Sequence, residues 1–325
     1  AVAQTLPRVE GAFGFVMIFS GDENLMIGAR RGSPLAIGYG DGEMYFGSDA
    51  LALAPLTRRI CYLEEGDWAV LTDSGAEIFD TDGNPITRQV VETAVSGALI
   101  GKGNYRHFML KEIYEQATVI GDTLSTVLNP ASQTITLPKL PVDLASVPKV
   151  TITACGTAYY AGNVAKYWIE SLARLPVEID FASELRYRRT PLPEDGLAIF
   201  VSQSGETMDT LEALRYCRGE NQHILSVVNV PESTIDRESD ATLLTHAGPE
   251  IGVASTKAFT TQLTVLACVS IAIAKARGML TREREAQLAS ALSEVPGRVA
   301  EVLNHDDHIA ELAHILAEAR DVLYL

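Results

Sequence analysis

Residues 197–207 read LAIFVSQSGET, a run of five apolar residues followed at once by a loop rich in hydroxyl and amide side chains. The apolar run has the length and composition of a buried strand. The residues that follow Thr207, MDTLEALRYCR, are typical of a helix. Gly205 allows the backbone between the two to approach a ligand closely. This stretch therefore predicts a strand, a tight loop and a helix in direct succession.

The same alternation of strand and helix runs through the whole second half of the chain. Strands are predicted at 149–154, 177–182, 197–201, 223–228 and 241–246, and helices at 158–174, 207–218 and 256–277. Alternating β and α units imply an α/β fold, a doubly wound parallel sheet with helices on both faces. Such sheets bind ligands beyond the carboxyl ends of their strands. The pattern therefore directs attention to the loops that open helices.

Three loops meet this description: residues 155–158, 202–207 and 250–257. In the second, three hydroxyls and a glutamine stand at a helix N-terminus, where free N–H groups favour an anion. The alternative is that these hydroxyls only cap the helix, although one cap needs one hydroxyl. In the third loop, Ser255 or Thr256 is an expected N-cap, and Gly252 permits close approach of a sugar. Both interpretations of each loop stay open at this point.

The first half has a different character. Between residues 11 and 81, short β-rich segments alternate with turns such as GDEN, GDG and DSG, a pattern typical of antiparallel sheets. An amphipathic helix is predicted at 108–128, and four prolines between 130 and 148 indicate a linker. We expect a β-rich domain at 1–85, a helical linker at 86–145, an α/β domain at 146–280 and a helical connector at 281–325.

Composition excludes several classes of function. The chain has 325 residues and a net charge of −16, which argues against a nucleic-acid partner because phosphate backbones require a basic face. The apolar stretch 263–274 is too short to span a membrane, which needs about 20 residues. Four cysteines without a CxxC pair indicate free thiols in a reducing compartment. We therefore expect a cytoplasmic protein without a membrane segment.

Other motifs give weak signals. There is no Walker loop, GxGxxG or HExxH in the sequence, and the pair His305 and His308 is more typical of a solvated helix turn than of a metal site. We expect no metal and no cofactor. Cys155 has no neighbouring base and is interpreted as a packed thiol rather than a nucleophile. Ser204 does not form a nucleophile elbow, because that motif needs glycine where Ser202 stands.

At the three loops the sequence resembles a known family. ACGTA (154–158), LAIFVSQSGETMDTL (197–211), NVPESTIDRESD (229–240) and EIGVASTKAFTTQL (250–263) are similar to the first sugar-isomerase (SIS) domain of glutamine:fructose-6-phosphate amidotransferases. EGAFGFVMIF (10–19), ARRGSPLAIG (29–38), FGSDALAL (46–53) and YLEEGDWAVL (62–71) resemble the back part of the glutaminase domain of that family, an N-terminal-nucleophile domain. YRHFMLKEIYEQ (105–116) resembles its interdomain segment. The resemblance covers essentially the whole chain.

The resemblance implies a function in glucosamine 6-phosphate synthesis from fructose 6-phosphate and glutamine, in a homodimer. It assigns the sugar phosphate to Ser202, Gln203, Ser204 and Thr207, and sugar contacts to Thr157, Val253 and Ser255. Ala158 stands where the family usually has serine. The family's cysteine nucleophile would lie upstream and the catalytic groups of its isomerase site downstream, where the strand-like end DVLYL would open a second SIS domain. The resemblance thus implies no catalytic residue within this chain, which is expected to be inactive alone.

Two alternatives remain. SIS domains also serve as non-catalytic sugar-phosphate-binding modules in regulators, and some act on amino-sugar phosphates as deglycases. The glutaminase-like first half favours the amidotransferase: a DNA-binding domain, which the charge of −16 opposes, is more typical of a sensor, and a deglycase would not need the glutaminase half.

Overall fold

The computed structural model describes residues 2–93 and 101–323. Its first part is built from strands, with short helices α1 (Val2–Thr5) and α2 (Ala50–Leu53) and a 3-10 turn at Leu6–Arg8. The strands are β1 (Phe13–Phe19), β2 (Asp22–Arg31), β3 (Ala36–Tyr39), β4 (Met44–Gly47), β5 (Arg59–Tyr62), β6 (Trp68–Thr72), β7 (Gly75–Phe79), β8 (Pro85–Ile86) and β9 (Val90–Glu92). The predicted β-rich character of this half is confirmed.

These strands form two antiparallel sheets, in the orders β1-β2-β6-β7-β8 and β4-β3-β5-β9. Apolar residues from both sheets share one core, in which Ile37 and Cys61 meet Ala69 and Leu71. The two sheets therefore pack face to face, and the alternation of apolar and polar residues along the strands supplies the inner faces.

A long helix, α3 (Phe108–Ser125), follows the stretch 94–100, which lies outside the described residues, and leads to a hairpin of β10 (Leu128–Asn129) and β11 (Thr134–Ile135). Within the predicted linker, α3 packs its Ile120 and Leu124 against Cys268 and Ile271 of the second half. The helix is therefore part of the second half's packing.

The second half is the predicted parallel sheet. Its strands are β12 (Val150–Ala154), β13 (Val177–Phe181), β14 (Leu197–Ser202), β15 (His223–Val228) and β16 (Ala241–Leu244), in the order β13-β12-β14-β15-β16. All neighbouring strands are parallel. The strand order reverses between β12 and β14, so the loops after these two strands lie on either side of a topological switch point, the place where open α/β sheets bind ligands.

Helices cover both faces of this sheet. They are α4 (Gly156–Ala173), α5 (Ala182–Arg188), α6 (Met208–Gly219), α7 (Thr234–Arg237), α8 (Lys257–Ala276), α9 (Arg282–Leu303) and α10 (Asp306–Leu316). One core joins the sheet to α4 and α8, and another joins it to α5 and α6. Residues 281–316 are mostly helical, and the expected strand at 321–325 is described only to Leu323, without regular structure.

Helix α8 is long and apolar enough to cross a membrane by composition, but 72% of its most apolar window is buried inside the protein. It is hydrophobic on nearly all sides because α3, α4 and the sheet surround it. The apolar stretch 263–274, taken from the sequence as too short to span a membrane, is thus part of a longer helix that lies mostly buried in the protein.

Candidate functional site

Each of the three predicted loops lies at the start of a helix of the second half: α4, α6 or α8. In the parallel register Ala154 pairs with Val201, so the loops that follow β12 and β14 start side by side. The third loop, residues 250–256, directly precedes α8. We refer to residues 155–158, 202–207 and 250–256 as the first, second and third loops.

The second loop is shaped by its own hydroxyls. Ser202, which is buried, accepts a hydrogen bond through Oγ from the N–H of Gly205 at 3.0 Å and lies 3.1 Å from Thr207 Oγ1. Ser204 Oγ accepts the N–H of Glu206 at 3.1 Å. Thr207 occupies the N-cap position of α6, yet its side chain makes no capping hydrogen bond. The hydroxyls therefore fold the loop instead of capping the helix.

This arrangement leaves hydrogen-bond donors for a ligand. A serine hydroxyl that accepts an N–H keeps its own hydrogen free to donate. Ser204 has such a hydrogen, and the Ser202–Thr207 pair has one beyond the hydrogen that the two share. No Lys or Arg occurs in the first or second loop. Neutral hydroxyls and N–H groups at the start of α6 are thus the groups that an anion would meet here.

The segment that follows β15 packs against the second loop and bonds to its backbone. Gly205 has φ +67°, and a Cβ at this position would lie 2.0 Å from Ser233 Oγ. The carbonyls of Gln203 and Gly205 accept the N–H groups of Asn229, at 3.2 Å, and Ile235, at 3.0 Å. Glycine is needed at position 205 both for its backbone angle and for space.

Asn229 also joins the second loop to the approach of the third. Besides its N–H bond to Gln203, its Nδ2 donates to the Gly248 carbonyl at 2.8 Å, and its Oδ1 accepts the N–H of Ala247 at 2.8 Å. The sequence reasoning did not single out this residue. An asparagine directly after a buried strand is the signal that would have identified it.

The first loop begins with Gly156 at φ +58° and exposes Thr157. Cys155 stands next to α6, where Thr210 Oγ1 lies 3.9 Å from its Sγ. Ala158 points into the core that joins α4 to the sheet. The hydroxyl that the first loop exposes is therefore that of Thr157.

The third loop presents Val253, whose side chain is fully exposed, and a half-buried Ser255. Its end is organised by Glu250, whose carboxylate accepts the N–H of Thr256 at 2.9 Å and of Ala258 at 3.1 Å, and the Ser255 hydroxyl at 2.9 Å. Thr256 is the N-cap residue of α8, as expected, but its side chain makes no capping hydrogen bond. A carboxylate six residues earlier caps the helix.

Helix α3 supplies further carboxylates to this region. Glu112, which is buried, accepts the N–H groups of Ile251 and Gly252. Glu115 pairs with the buried Lys257 at 2.6 Å. Sequence reasoning missed these residues because they lie about 140 positions from their partners, and only the fold brings them together.

Glu206 is the titratable side chain of the second loop. Burial raises the pKa of its carboxyl above the usual value, although the N–H of Thr234 and the positive charges of Arg237 and Arg30 oppose the rise. Oε1 accepts the Thr234 N–H at 2.8 Å, while Oε2 is buried without a hydrogen-bond partner among the described residues. Arg30 lies on β2, so this carboxylate faces the first half of the chain.

Comparison with known proteins finds relatives of this chain. Residues 143–272 match the family model of the SIS domain. The isomerizing glutamine–fructose-6-phosphate aminotransferases of Bradyrhizobium diazoefficiens and Brucella abortus are 57% and 54% identical to the whole chain, which covers 54% of each. A solved C-terminal domain of glucosamine-fructose-6-phosphate aminotransferase from Francisella tularensis matches with a TM-score of 0.64 and 41% identity, over 67% of this chain and 61% of that one. The chain thus spans about half the length of the curated relatives.

Proposed function

We propose that this chain, which is similar over its full length to the isomerizing glutamine–fructose-6-phosphate aminotransferases, holds the sugar phosphate in glucosamine 6-phosphate synthesis from fructose 6-phosphate and glutamine. In this proposal the phosphate binds to the second loop, through Ser202, Gln203, Ser204 and Thr207. The sugar contacts Thr157, Val253 and Ser255.

The observation that carries the proposal is the hydrogen bonding of the second loop. Its serine oxygens accept N–H groups of the loop itself, which directs their O–H hydrogens away from the backbone. Thr207 does not use its hydroxyl to cap α6. A dianionic phosphate at the start of α6 would receive these hydroxyl hydrogens as well as the favourable end of the helix dipole.

In this role the loop anchors the substrate and does not react with it. Binding energy from the phosphate, remote from the reacting carbons, holds the other end of the sugar in position for chemistry. The three loops contain no lysine that could form a Schiff base with the sugar. Lys257, which directly follows the third loop, is buried and paired with Glu115. The proposal therefore assigns binding, and not catalysis, to these residues.

We propose that the first half of the chain contributes to the part of the reaction that uses glutamine, because this half is also similar to the same relatives. Because the 325 residues cover 54% of those relatives, we propose that this polypeptide by itself binds the sugar phosphate without converting it. A cytoplasmic homodimer is proposed from the similarity to these aminotransferases. Sedimentation of the purified chain measures its oligomeric state, and a glucosamine 6-phosphate assay measures turnover. Product formation by this chain alone would contradict the proposal that it binds the sugar phosphate without converting it.

Calorimetric titration with fructose 6-phosphate tests the binding function, with fructose and inorganic phosphate as controls. We expect fructose 6-phosphate to bind more tightly than phosphate, and fructose to show no measurable binding. This order follows from a phosphate anchor with additional sugar contacts. Absence of fructose 6-phosphate binding, or equal binding of fructose, would contradict the proposal.

A further inference from the structure

Glu112 places a buried carboxylate under the third loop. The residue lies on α3 and is 2% exposed. Its Oε1 lies 2.6 Å from the backbone nitrogen of Ile251 and 3.0 Å from that of Gly252, and its Oε2 lies 3.2 Å from the latter. A buried carboxylate is costly unless its oxygens accept hydrogen bonds, so these two N–H groups and the carboxylate stabilise each other.

Gly252 makes this contact sterically possible. A Cβ at this position would lie 2.5 Å from Glu112 Oε2 and 3.4 Å from the Cα of Met109. Its φ is not in the left-handed region, so the need for glycine is one of space and not of backbone angle. The backbone of the third loop therefore lies so close to α3 that any side chain at position 252 would collide with Glu112.

The other end of the loop is held independently. Glu250 accepts the N–H of Thr256 and the hydroxyl of Ser255. Two carboxylates therefore fix the loop at its two ends, and the residues between them, Val253 and Ala254, are exposed. One of the two comes from within the loop, and Glu112 comes from a helix outside it.

We propose that Glu112 is a positioning residue for the sugar-contacting loop. It acts through the backbone of Ile251 and Gly252, and sets where Val253 and Ser255 stand relative to the phosphate loop. This inference rests on the proposed function, because that function assigns the sugar contacts to the third loop. Glu112 thereby affects recognition of the sugar indirectly, through the third loop, and recognition of the phosphate is left to the second loop.

A carboxylate suits this position better than an amide. Both oxygens of Glu112 face N–H donors. A glutamine in the same place would set its NH₂ group against the N–H of Gly252 or Ile251, so that two donors would meet in a buried site. Glu112→Gln therefore disturbs the loop while keeping the size of the side chain.

The test compares Glu112→Gln with Glu285→Gln in the full chain. Glu285 is equally buried at 4% exposure, and accepts the N–H of Ile135 at 3.2 Å and Lys275 Nζ at 2.7 Å, near the opposite end of α8. Each protein is titrated with fructose 6-phosphate and with inorganic phosphate. Exchange of the amide hydrogens of residues 250–256 is followed by mass spectrometry without ligand.

We expect Glu112→Gln to weaken fructose 6-phosphate binding roughly tenfold, as for one hydrogen bond to a charged group, and to leave phosphate binding unchanged. Amide exchange at 251 and 252 should accelerate. Gly252→Ala, which pushes on the same carboxylate from the loop side, should give the same selective loss. Glu285→Gln should lower thermal stability without changing the ratio of the two affinities.

The positioning role is overturned if amide exchange at 251 and 252 in Glu112→Gln equals that of the wild type. It is also overturned if both ligands weaken together, because that result indicates general destabilisation. Failure of the wild-type chain to bind fructose 6-phosphate is a separate result that overturns the proposed function, and the exchange experiment still decides whether Glu112 holds the loop.

Discussion

Ser204 accepts the backbone N–H of Glu206 through its Oγ, at 3.1 Å. The serine oxygen accepts this bond, and its own hydrogen remains available to donate. The same residue therefore folds the loop and offers a donor to a phosphate.

Ser204→Ala should weaken fructose 6-phosphate binding by about ten- to a hundredfold, the range of one charge-assisted hydrogen bond, with little loss of stability. Thr207→Val should act in the same direction, since Thr207 contributes its hydroxyl and does not cap α6. Calorimetric titration measures both. Ser171→Ala is the control, because the exposed Ser171 hydroxyl donates to the Trp168 carbonyl within α4, away from the three loops. Unchanged affinity in both loop variants would refute the assignment.

Gly205→Ala should abolish sugar-phosphate binding and lower stability. The variant forces an L-residue into φ +67° and places a Cβ 2.0 Å from Ser233 Oγ. Gly278→Ala is the matched control, with φ +68° and no atom within 4 Å of the added Cβ. It should cost about 1–2 kcal/mol of backbone strain and leave binding intact. Equal behaviour of the two variants would show that the contact with Ser233 is unimportant. Thermal unfolding and calorimetry together provide the comparison.

Glu206→Gln should change how stability depends on pH. Burial raises the folded-state pKa of Glu206, so the folded state binds a proton more tightly than the unfolded state does. The charged carboxylate therefore disfavours folding at neutral pH. This penalty fades as pH falls through the folded-state pKa toward the unfolded value near 4.3, about that of a free glutamate. Relative to the wild type, the variant should gain stability at pH 7 and lose that advantage on acidification.

Glu178→Gln provides the comparison of opposite sign. A hydrogen bond from Lys149 lowers the pKa of Glu178, and the charges of Lys149 and Arg188 add to the effect. Its stabilising contribution is present above the unfolded-state pKa and is lost as pH falls through the lower folded-state value. Urea unfolding from about pH 2 to about pH 8 measures both variants, because the contribution of Glu178 is lost below its unfolded-state pKa. A Glu206→Gln profile parallel to that of the wild type would contradict the prediction for Glu206.

One thiol should react quickly in the folded protein. Burial raises the pKa of Cys61 to about 11 and the pKa values of Cys217 and Cys268 to about 12, which keeps these thiols protonated at pH 8. Cys155 is half-buried in the first loop. We expect one fast equivalent of labelling by a thiol reagent, lost in Cys155→Ser and slowed by fructose 6-phosphate. Two or more fast thiols would contradict the protection of the three buried cysteines. A labelling rate that does not change with the ligand would count against the position assigned to the sugar.

Much of the fold was predictable because local patterns specify it. The strand predicted at 223–228 is observed as His223–Val228, and the helix predicted at 207–218 is observed as Met208–Gly219. Buried parallel strands are continuous apolar runs, and turn residues mark their ends, so the signal lies within a few positions of each element. The second and third loops were identified for the same reason.

The supporting residues of the site could not be predicted in this way. A hydroxyl at Ser255 or Thr256 is the expected cap of α8, yet the carboxylate of Glu250 provides it because the loop folds back over six residues. Glu112 reaches the third loop across 139 positions. Nothing in either local sequence indicates such a contact, which depends on how α3 packs against α8.

The bond between Glu112 and Gly252 also has a consequence for the order in which the protein folds. It joins residues 140 positions apart, so its formation closes a loop of 140 residues. The bonds within the second loop span five residues or fewer and need no such closure. Because long closures carry the larger entropic cost, we expect the phosphate loop to take shape earlier in folding than the third loop. We expect the third loop to take shape when α3 docks against α8, so that the binding surface is completed in two separate steps.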